Sequence, residues 1–354
     1  MDRPVLHLRR VAPFENRIAA FMSNVIDVLG IGNAIVDTLA RAQDDDLAKA
    51  GLRKGAMQLV DEARAGELYA AMGPTTVVSG GSAANTMAGL ASLGRRAAFV
   101  GKVKDDDAGR EFAHDIRKAG VAFTTKPAAD GAATARCLIL VTPDGQRTMN
   151  TYLGACQALE PADIDDALVA RARVLYMEGY LWDPPGAKAA FLKGAQVSRA
   201  KGAKVALTLS DPFCVDRYRG EFLGLIRDGV VDILFANESE LHSLYETADF
   251  DTALKALQAE DKLLGVVTRS EKGCVVASGA SVLNAPAVPV EEVVDTTGAG
   301  DLFAAGFLAG YTLGLPHERS AALGALAAAE IISHVGARPQ KDLRQLARDN
   351  GLLV

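Results

Sequence analysis

Cysteine is scarce in this chain of 354 residues, and the cysteines present do not cluster. The four thiols, Cys137, Cys156, Cys214 and Cys274, form neither a Cys-x-x-Cys pair nor a Cys/His group with the spacing of a zinc site. We interpret them as reduced thiols of the core. A disulfide scaffold and a structural zinc site are therefore not expected.

The chain also has no excess of positive charge. It contains 38 Lys and Arg residues against 44 Asp and Glu residues, which gives a formal net charge of −6. No basic block alternates with aromatic residues in the way that would suit a phosphate backbone. Nucleic acid is therefore not an expected partner.

Apolar runs of membrane-spanning length are missing as well. The stretches Leu302 to Leu315 and Ala321 to Val335 are apolar, but each is shorter than the ~18 to 20 residues that a membrane span needs. We expect both to be packed helices of the core. Because the first 24 residues contain no apolar run of the signal-peptide kind, we predict a cytoplasmic protein with no membrane partner.

Several catalytic motifs are absent. There is no Gly-x-x-x-x-Gly-Lys-Ser/Thr, no Gly-x-Ser-x-Gly and no His-Glu-x-x-His, so P-loop, serine-hydrolase and zinc-peptidase functions have no support. The stretch from Gly30 to Ile35 begins like a dinucleotide fingerprint, but Ile35 occupies the position of the third glycine. A dehydrogenase is therefore not favoured.

Short apolar runs alternate with helical patterns along most of the chain. This order predicts an α/β protein with a mostly parallel, doubly wound sheet and helices on both faces. The predicted strands are 25–31, 97–101, 173–178, 204–210, 231–236 and 263–268. The predicted helices are 84–93, 108–119, 186–201, 238–245 and 251–260.

One segment departs from this order. Thr134 to Val141 and Arg147 to Leu153 flank a Pro-Asp-Gly turn, which predicts an antiparallel hairpin. We expect the hairpin to belong to a small β lid. The predicted division is a lid of residues 37–60 and 121–153, a large α/β domain of residues 25–36, 61–120 and 154–354, and a leader of residues 1–24. We expect the leader to be poorly ordered, either as a disordered tail or because the true start is nearer Met22.

The stretch Asp295-Thr-Thr-Gly-Ala-Gly-Asp301 carries the strongest signal for chemistry. Gly298 and Gly300 allow a tight turn that exposes amide groups where a helix begins, and such a turn suits anionic oxygens. Asp301 starts that helix, where a carboxylate can accept a hydroxyl proton during phosphoryl transfer. The alternative is that Asp301 merely caps the helix.

This stretch resembles the second signature of the ribokinase family, the PfkB-type carbohydrate and nucleoside kinases. The resemblance implies a ribokinase-like fold with a small β lid. It also implies that Asp301 is the catalytic base and that Gly298, Ala299 and Gly300 form an anion hole. Leu302 departs from the small residue that is usual in the family, and we expect that change to affect packing rather than chemistry.

A second stretch, Gly80 to Gly94, is similar to the first signature of the same family. Its glycines permit the backbone to approach a ligand closely, and a helix follows. Taken alone, the pattern is equally typical of an ordinary helix entry. The resemblance implies that Gly80, Gly81, Ser82 and Asn85 bind the substrate.

Asn33 and Asp37 follow the first predicted strand, at the edge where open α/β sheets bind ligands. A carboxylate there can hold a vicinal diol by two hydrogen bonds, although an Asx-turn pair would give the same pattern. Sugar-specific ribokinases resemble Asn-x-Asp at this place, whereas adenosine kinases resemble Asn-x-x-x-Asp. Within the family, the spacing of Asn33 and Asp37 is therefore similar to that of adenosine kinases.

Asn237 and Glu240 form Asn-x-x-Glu directly after a predicted strand. Such a pair can orient the water shell of Mg²⁺, or it can simply cap a helix. Residues 268–273 resemble the nucleotide-binding turn of the family, with Ser270 in place of a usual glycine. The nucleotide-binding residues implied by the resemblance are Asn237, Thr268, Arg269, Ser270, Gly273, Thr297, Gly298 and Gly300.

Three further assignments come from the same resemblance. Arg147 matches a lid arginine that reaches the phosphates, although a solvated hairpin arginine fits the spacing too. Tyr180 is a candidate to stack on a purine, with rim packing as the alternative. Asp295 and Thr297 match positions that hold a monovalent cation in the family.

The resemblance implies an ATP-dependent kinase that phosphorylates the 5′-hydroxyl of adenosine, with Mg²⁺ as a cofactor and K⁺ as a further candidate. A sugar kinase of the same family, similar to ribokinase or fructokinase, is the nearest alternative. A non-catalytic nucleoside or nucleotide sensor with the same fold is an alternative of another class. A monomer and a homodimer formed through the lid both stay open.

Overall fold

The computed structural model describes residues 25–354, and the predicted leader lies outside this range. Within the described range, fourteen strands form two separate sheets, one of nine strands and one of five. The strands are β1 (Ile26–Ile31), β2 (Ile35–Arg41), β3 (Met57–Leu59), β4 (Thr75–Gly80), β5 (Ala97–Val100), β6 (Ala122–Phe123), β7 (Ala135–Val141), β8 (Arg147–Tyr152), β9 (Ala172–Glu178), β10 (Lys204–Thr208), β11 (Ile233–Asn237), β12 (Leu264–Thr268), β13 (Cys274–Ser278) and β14 (Ser281–Ala285).

Helices connect most of these strands. They are α1 (Asp44–Lys49), α2 (Glu62–Ala71), α3 (Ser82–Ser92), α4 (Asp107–Lys118), α5 (Asp166–Val169), α6 (Pro185–Ala200), α7 (Pro212–Arg227), α8 (Glu238–Tyr245), α9 (Phe250–Gln258), α10 (Ala299–Thr312), α11 (His317–Ile332) and α12 (Leu343–Asp349). Short 3-10 turns occupy Gly154–Ala158, Pro161–Asp163, Gly179–Trp182 and Ser270–Lys272. None of the helices in residues 25–354 is long and apolar enough to cross a bilayer.

The nine-stranded sheet has the order β14-β13-β12-β11-β10-β9-β1-β5-β6. Its strands are parallel from β12 to β6, and β13 and β14 add an antiparallel hairpin at one edge. Successive side chains of a strand point to opposite faces. In β9, Val174 and Tyr176 pack into one apolar cluster, whereas Leu175 and Met177 pack into another.

Each cluster is completed by helices on its own side of the sheet. Helices α3, α4, α10, α11 and α12 cover one face, and α5 to α9 cover the other. The sheet is thus doubly wound, as the alternation of strands and helices predicted. The two apolar stretches at 302–315 and 321–335 are confirmed as packed helices, because they fall in α10 and α11.

The five-stranded sheet has the order β3-β8-β7-β2-β4. The predicted hairpin is confirmed, since β7 and β8 pair in antiparallel fashion. Helices α1 and α2 cover one face of this sheet through a small apolar cluster that includes Leu47, Leu68, Leu138 and Leu140. The opposite face borders the cleft described below.

The strand pairing differs from the predicted division of the chain in two places. Strand β4 was placed with the large domain, but it pairs along β2 and belongs to the small sheet. Strand β6 was placed with the lid, but it pairs with β5 at the edge of the large sheet. Both differences arise because a strand's partner depends on the path of the chain, which local pattern does not report.

Candidate active site

A cleft of about 1460 Å³ follows the carboxyl ends of the large sheet's strands and is bordered by the small sheet. The last residues of several parallel strands are polar and face it, including Glu178 of β9, Asn237 of β11 and Thr268 of β12. Open α/β sheets bind their ligands in this kind of crevice. The cleft is therefore the candidate site.

Asp301 lies in the first turn of α10 and lines the cleft. Gly298 caps this helix with φ of 81°, in the left-handed region, and a Cβ there would lie 3.0 Å from the Cβ of Ala337. The amides of Gly300 and Asp301 belong to the first turn, where N–H groups have no partner within the helix. They are available to anionic oxygens.

Two side chains from α3 hold the Asp301 carboxylate. Ser82 Oγ donates to Oδ1 at 2.6 Å, and Asn85 Nδ2 donates to Oδ2 at 3.0 Å. Burial raises the pKa of Asp301, while these two hydrogen bonds and the charge of Arg338 oppose that rise. Ser82 and Asn85, which were predicted to bind substrate, line the cleft and also orient the predicted base.

Asn33 and Asp37 line the same cleft from the start of the small sheet. Gly80 ends β4 opposite Ile35, and Gly81 turns the chain into α3 with φ of 93°. A Cβ on Gly81 would lie 2.1 Å from the main-chain oxygen of Asn33. The glycine therefore allows the two loops to meet.

Burial raises the pKa of Asp37 to about 6. The charges of Arg338 and Arg147 act in the opposite direction, and the charge of Asp301 adds to the rise. Asp37 is ionised above this pKa, which is the form that can accept two hydrogen bonds from a diol.

Glu178 is a site residue that the sequence predictions missed. Its buried carboxylate accepts from Asn33 Nδ2 at 2.6 Å and from the amide of Ala83 at 2.8 Å. Burial raises the pKa of Glu178 to about 7, although the hydrogen bonds that its carboxylate accepts act to lower that pKa. One signal was present, because Glu178 is a carboxylate at the end of a predicted parallel strand, the position that identified Asn33.

Asn237 and Glu240 face the cleft at the start of α8. They form a capping box, in which the amide of Glu240 donates to Asn237 Oδ1 at 2.9 Å and the amide of Asn237 donates to Glu240 Oε2 at 3.0 Å. Asn237 Nδ2 also donates to Glu240 Oε1 at 2.6 Å. Burial raises the pKa of Glu240 to about 7. A single carboxylate with an amide fits Mg²⁺, which keeps several of its waters.

Some residues of the turn after β12 line the cleft, and another pairs with a residue on the surface of α8. Thr268, Ser270 and Gly273 line the cleft. Arg269 does not, because it donates to Glu238 at 3.0 and 3.1 Å and lies over the ring of Phe250. Ser270, which replaces the family's usual glycine, has φ of 51°.

Arg147 is not among the residues that line the cleft within the described range. Its Nη1 donates instead to Asp295, and both side chains are nearly inaccessible, at 7% and 4%. Asp295 also accepts from the amides of Thr297 and Gly336. The guanidinium already supplies positive charge at this carboxylate, so the contacts of Asp295 do not fit a monovalent cation as well.

Three remaining predicted residues face the cleft. Thr297 and Ala299 line it beside Asp301. Tyr180 lines the opposite part, is 40% exposed, and has its amide bonded to Ser210 Oγ. Burial of its hydroxyl raises the pKa of Tyr180, so the phenol stays protonated.

The chain was compared with known proteins. A model of the pfkB family of carbohydrate kinases matches residues 47–343. The structure of adenosine kinase from Sinorhizobium meliloti is 54% identical and superposes with a TM-score of 0.85 over 92% of this chain and 99% of that chain. The structure of a probable sugar kinase from Rhizobium etli is 50% identical, with a TM-score of 0.87 over 93% of this chain and 100% of that chain. Adenosine kinase of Saccharomyces cerevisiae is 29% identical over 329 residues, which are 86% of this chain and 94% of the yeast protein.

The family match spans most of the chain. It includes both motifs that contribute residues to the cleft, Gly80 to Gly94 and Asp295 to Asp301. The doubly wound sheet and the cleft agree with that match. The chain therefore belongs to the pfkB family of carbohydrate kinases and is a phosphotransferase that acts on an alcohol group.

Proposed function

We propose that this kinase transfers the γ-phosphoryl group of ATP to the 5′-hydroxyl of adenosine. One observation carries the proposal: Asp301, held by Ser82 and Asn85, faces the same cleft as Asn33 and Asp37. The Asn-x-x-x-Asp spacing and the 54% identity with an adenosine kinase favour a nucleoside over a free sugar.

In this proposal the residues of the cleft divide the work between binding and proton transfer. Asp37 and Asn33 accept and donate hydrogen bonds at the vicinal diol, which aims the terminal hydroxyl at Asp301. Asp301 accepts the hydroxyl proton as the oxygen bonds to phosphorus and the bond to the leaving phosphate breaks. The amides of Gly300 and Asp301 donate to the oxygens that gain negative charge, whereas the amide of Ala299 already donates to the main-chain oxygen of Thr296 at 3.2 Å.

We infer ATP and Mg²⁺ as the cofactors. Glu240 and Asn237 would hold the ion through its waters, and Mg²⁺ supplies neutralisation of phosphate charge when bound. The contacts of Asp295 do not support K⁺ as a further cofactor. The cytoplasmic location and the oligomeric state, whether monomer or lid-paired dimer, stay predictions.

The test is an acceptor panel with ATP and Mg²⁺, scored by kcat/KM. Adenosine is expected to exceed other nucleosides, ribose and fructose. A higher value for a sugar would contradict the adenosine proposal and favour the alternative that the Rhizobium etli protein's description suggests. The absence of ADP formation with every acceptor would favour the non-catalytic sensor.

A further inference from the structure

Arg338 joins two parts of the site that are far apart in sequence. Its Nε and Nη2 donate to the main-chain oxygen of Ser79 at 2.9 and 2.6 Å, and its Nη1 donates to that of Ala84 at 2.8 Å. The guanidinium therefore bridges both ends of residues 79–84, the loop that turns at Gly81. This loop carries Ser82 and begins the helix that holds Asp301.

The segment before Arg338 contacts the anion-hole turn. The amide of Gly336 donates to Asp295 at 2.8 Å. Ala337 packs against Gly298, in the space that a Cβ at position 298 would need. Residues 336–338 thus connect the turn that precedes Asp301 with the loop at 79–84. A shift of this segment would move both together.

The charge of Arg338 also reaches both carboxylates of the site. It lowers the pKa of Asp37 and that of Asp301, against the effect of burial. Asp115, whose carboxylate accepts from the amide and hydroxyl of Ser79, faces Arg338 from α4. The other charged groups that act on these carboxylates or lie around them are Arg147 on β8, Glu178 on β9 and Glu240 on α8.

We propose that Arg338 is a positioning residue of the phosphoryl transfer, which holds the 79–84 loop and supplies the positive charge that faces both Asp37 and Asp301. The proposal rests on the roles given to these two aspartates above. It assigns a task to a residue outside both family signatures. A purely structural role would tie residues 336–338 to the loop without any effect on the ionisation of the carboxylates.

The test is the pH profile of kcat/KM for Arg338→Met, Arg338→Gln and Arg338→Lys, with the best acceptor of the panel. Loss of the charge is expected to move the acidic limb of the profile to higher pH, by about one pH unit or more, in the Met and Gln variants. Gln retains hydrogen-bond donors, so it serves if the Met variant fails to fold. The Lys variant is expected to keep the wild-type limb but to raise the acceptor KM, because one ammonium cannot bridge both carbonyls.

Arg117→Met is the matched control. Arg117 donates two hydrogen bonds to the main-chain oxygen of Phe123, at 3.0 and 2.8 Å, and neither is at the site. The acidic limb of the pH profile of the Arg117→Met variant is expected to coincide with that of the wild type. A coincident limb in the Arg338→Met or Arg338→Gln variant would overturn the proposal.

Failure of the proposed function gives a different result. If a sugar is the best acceptor, the profiles are measured with that sugar, and the prediction for Arg338 is unchanged. If no acceptor turns over, acceptor binding is measured by calorimetry across the same pH range. Binding that weakens at the same pH in the wild type and the Arg338→Gln variant would then overturn the assignment of Arg338.

Discussion

The two sheets of this kinase differ in how much of their surface is packed against helices, and they contribute different groups to the candidate site. Apolar clusters cover both faces of the nine-stranded sheet, and α10, which begins at the proposed anion hole, packs on that sheet. The five-stranded sheet has a cluster on one face, while Met57 and Leu59 near the cleft are 49% and 62% exposed. Fewer buried contacts mean a lower cost of local opening.

The groups proposed to react therefore lie on the better-covered sheet, and the small sheet contributes Asp37, which is proposed to bind the acceptor. Asp301 and its amides belong to α10, whereas Asp37 and Arg147 come from β2 and β8. The buried pair between Arg147 and Asp295 ties the small sheet to the loop before the proposed anion hole. Five predictions follow from this comparison and from the turn after β12.

The largest expected effect is on the large-sheet side. Asp301→Asn is expected to lower kcat by about 10³-fold, because an amide cannot accept the hydroxyl proton. Acceptor binding, measured by calorimetry, is expected to change little. Asp249→Asn, at the cap of α9, is the control and is expected to retain wild-type kcat. An Asp301→Asn variant that kept about a tenth of the activity would contradict the role of Asp301.

The second effect is on the link between the sheets. Arg147→Met is expected to lower the free energy of unfolding by about 3 kcal/mol, because it leaves Asp295 buried without its partner charge. Urea denaturation measures the change. Arg110→Met is the control: Arg110 pairs with Asp105 and Asp107 on the surface, where solvent screens such pairs, so a much smaller loss is expected. Equal losses for the two variants would contradict a buried link.

The third effect is on binding by the small sheet. Asp37→Ala is expected to raise the acceptor KM by about 30-fold, since charge-assisted hydrogen bonds contribute roughly 1.5 to 3 kcal/mol. The KM for ATP is expected to stay near the wild-type value. A similar rise in both KM values would indicate a general loss of structure instead.

The same residue predicts a pH dependence. Asp37 has a pKa raised to about 6, so the ionised form, which is proposed to bind the diol, is depleted as the pH falls through this value. The acceptor KM of the wild type is expected to rise about tenfold for each pH unit below it. In Asp37→Ala this rise should be absent, and its persistence would assign the titration to another group.

The smallest expected effect is in the turn after β12. Ser270 has φ of 51°, a conformation that costs a residue with a side chain more than it costs glycine. Ser270→Gly is expected to raise the free energy of unfolding by less than about 1 kcal/mol, because the added flexibility of the unfolded chain offsets part of the gain. Thermal unfolding measures it, with Ser281→Gly at the start of β14 as a control that should lose stability. A loss in both variants would contradict strain at Ser270.

Much of the fold was predictable, because strand and helix periods are local properties. The predicted strand 173–178 and helix 238–245 match β9 and α8 closely. The membership of β4 and β6 was not predictable, since pairing joins segments across the fold. The β13–β14 hairpin was also missed, because no turn signal as strong as Pro-Asp-Gly marks it.

The candidate site likewise contains residues that the sequence predicted and residues whose partners it did not predict. Asp301, Gly298 and the capping pair Asn237 and Glu240 lie in short contiguous motifs, so residue type and spacing, together with the resemblance to the family, predicted that they belong to the site. Arg269 was assigned to the nucleotide, but its side chain pairs with Glu238, a partner that a motif does not specify.

Local pattern was sufficient for the alternating architecture, the phosphoryl-transfer motif and the family, because each depends on residues close together in the chain. The partners of the reacting groups depended on folding. Glu178 lies 145 positions from Asn33, and Asn85 lies 216 positions from Asp301. Hydrogen bonds and charges act over a few ångströms of space, and only the packed sheets and helices bring such distant residues that close.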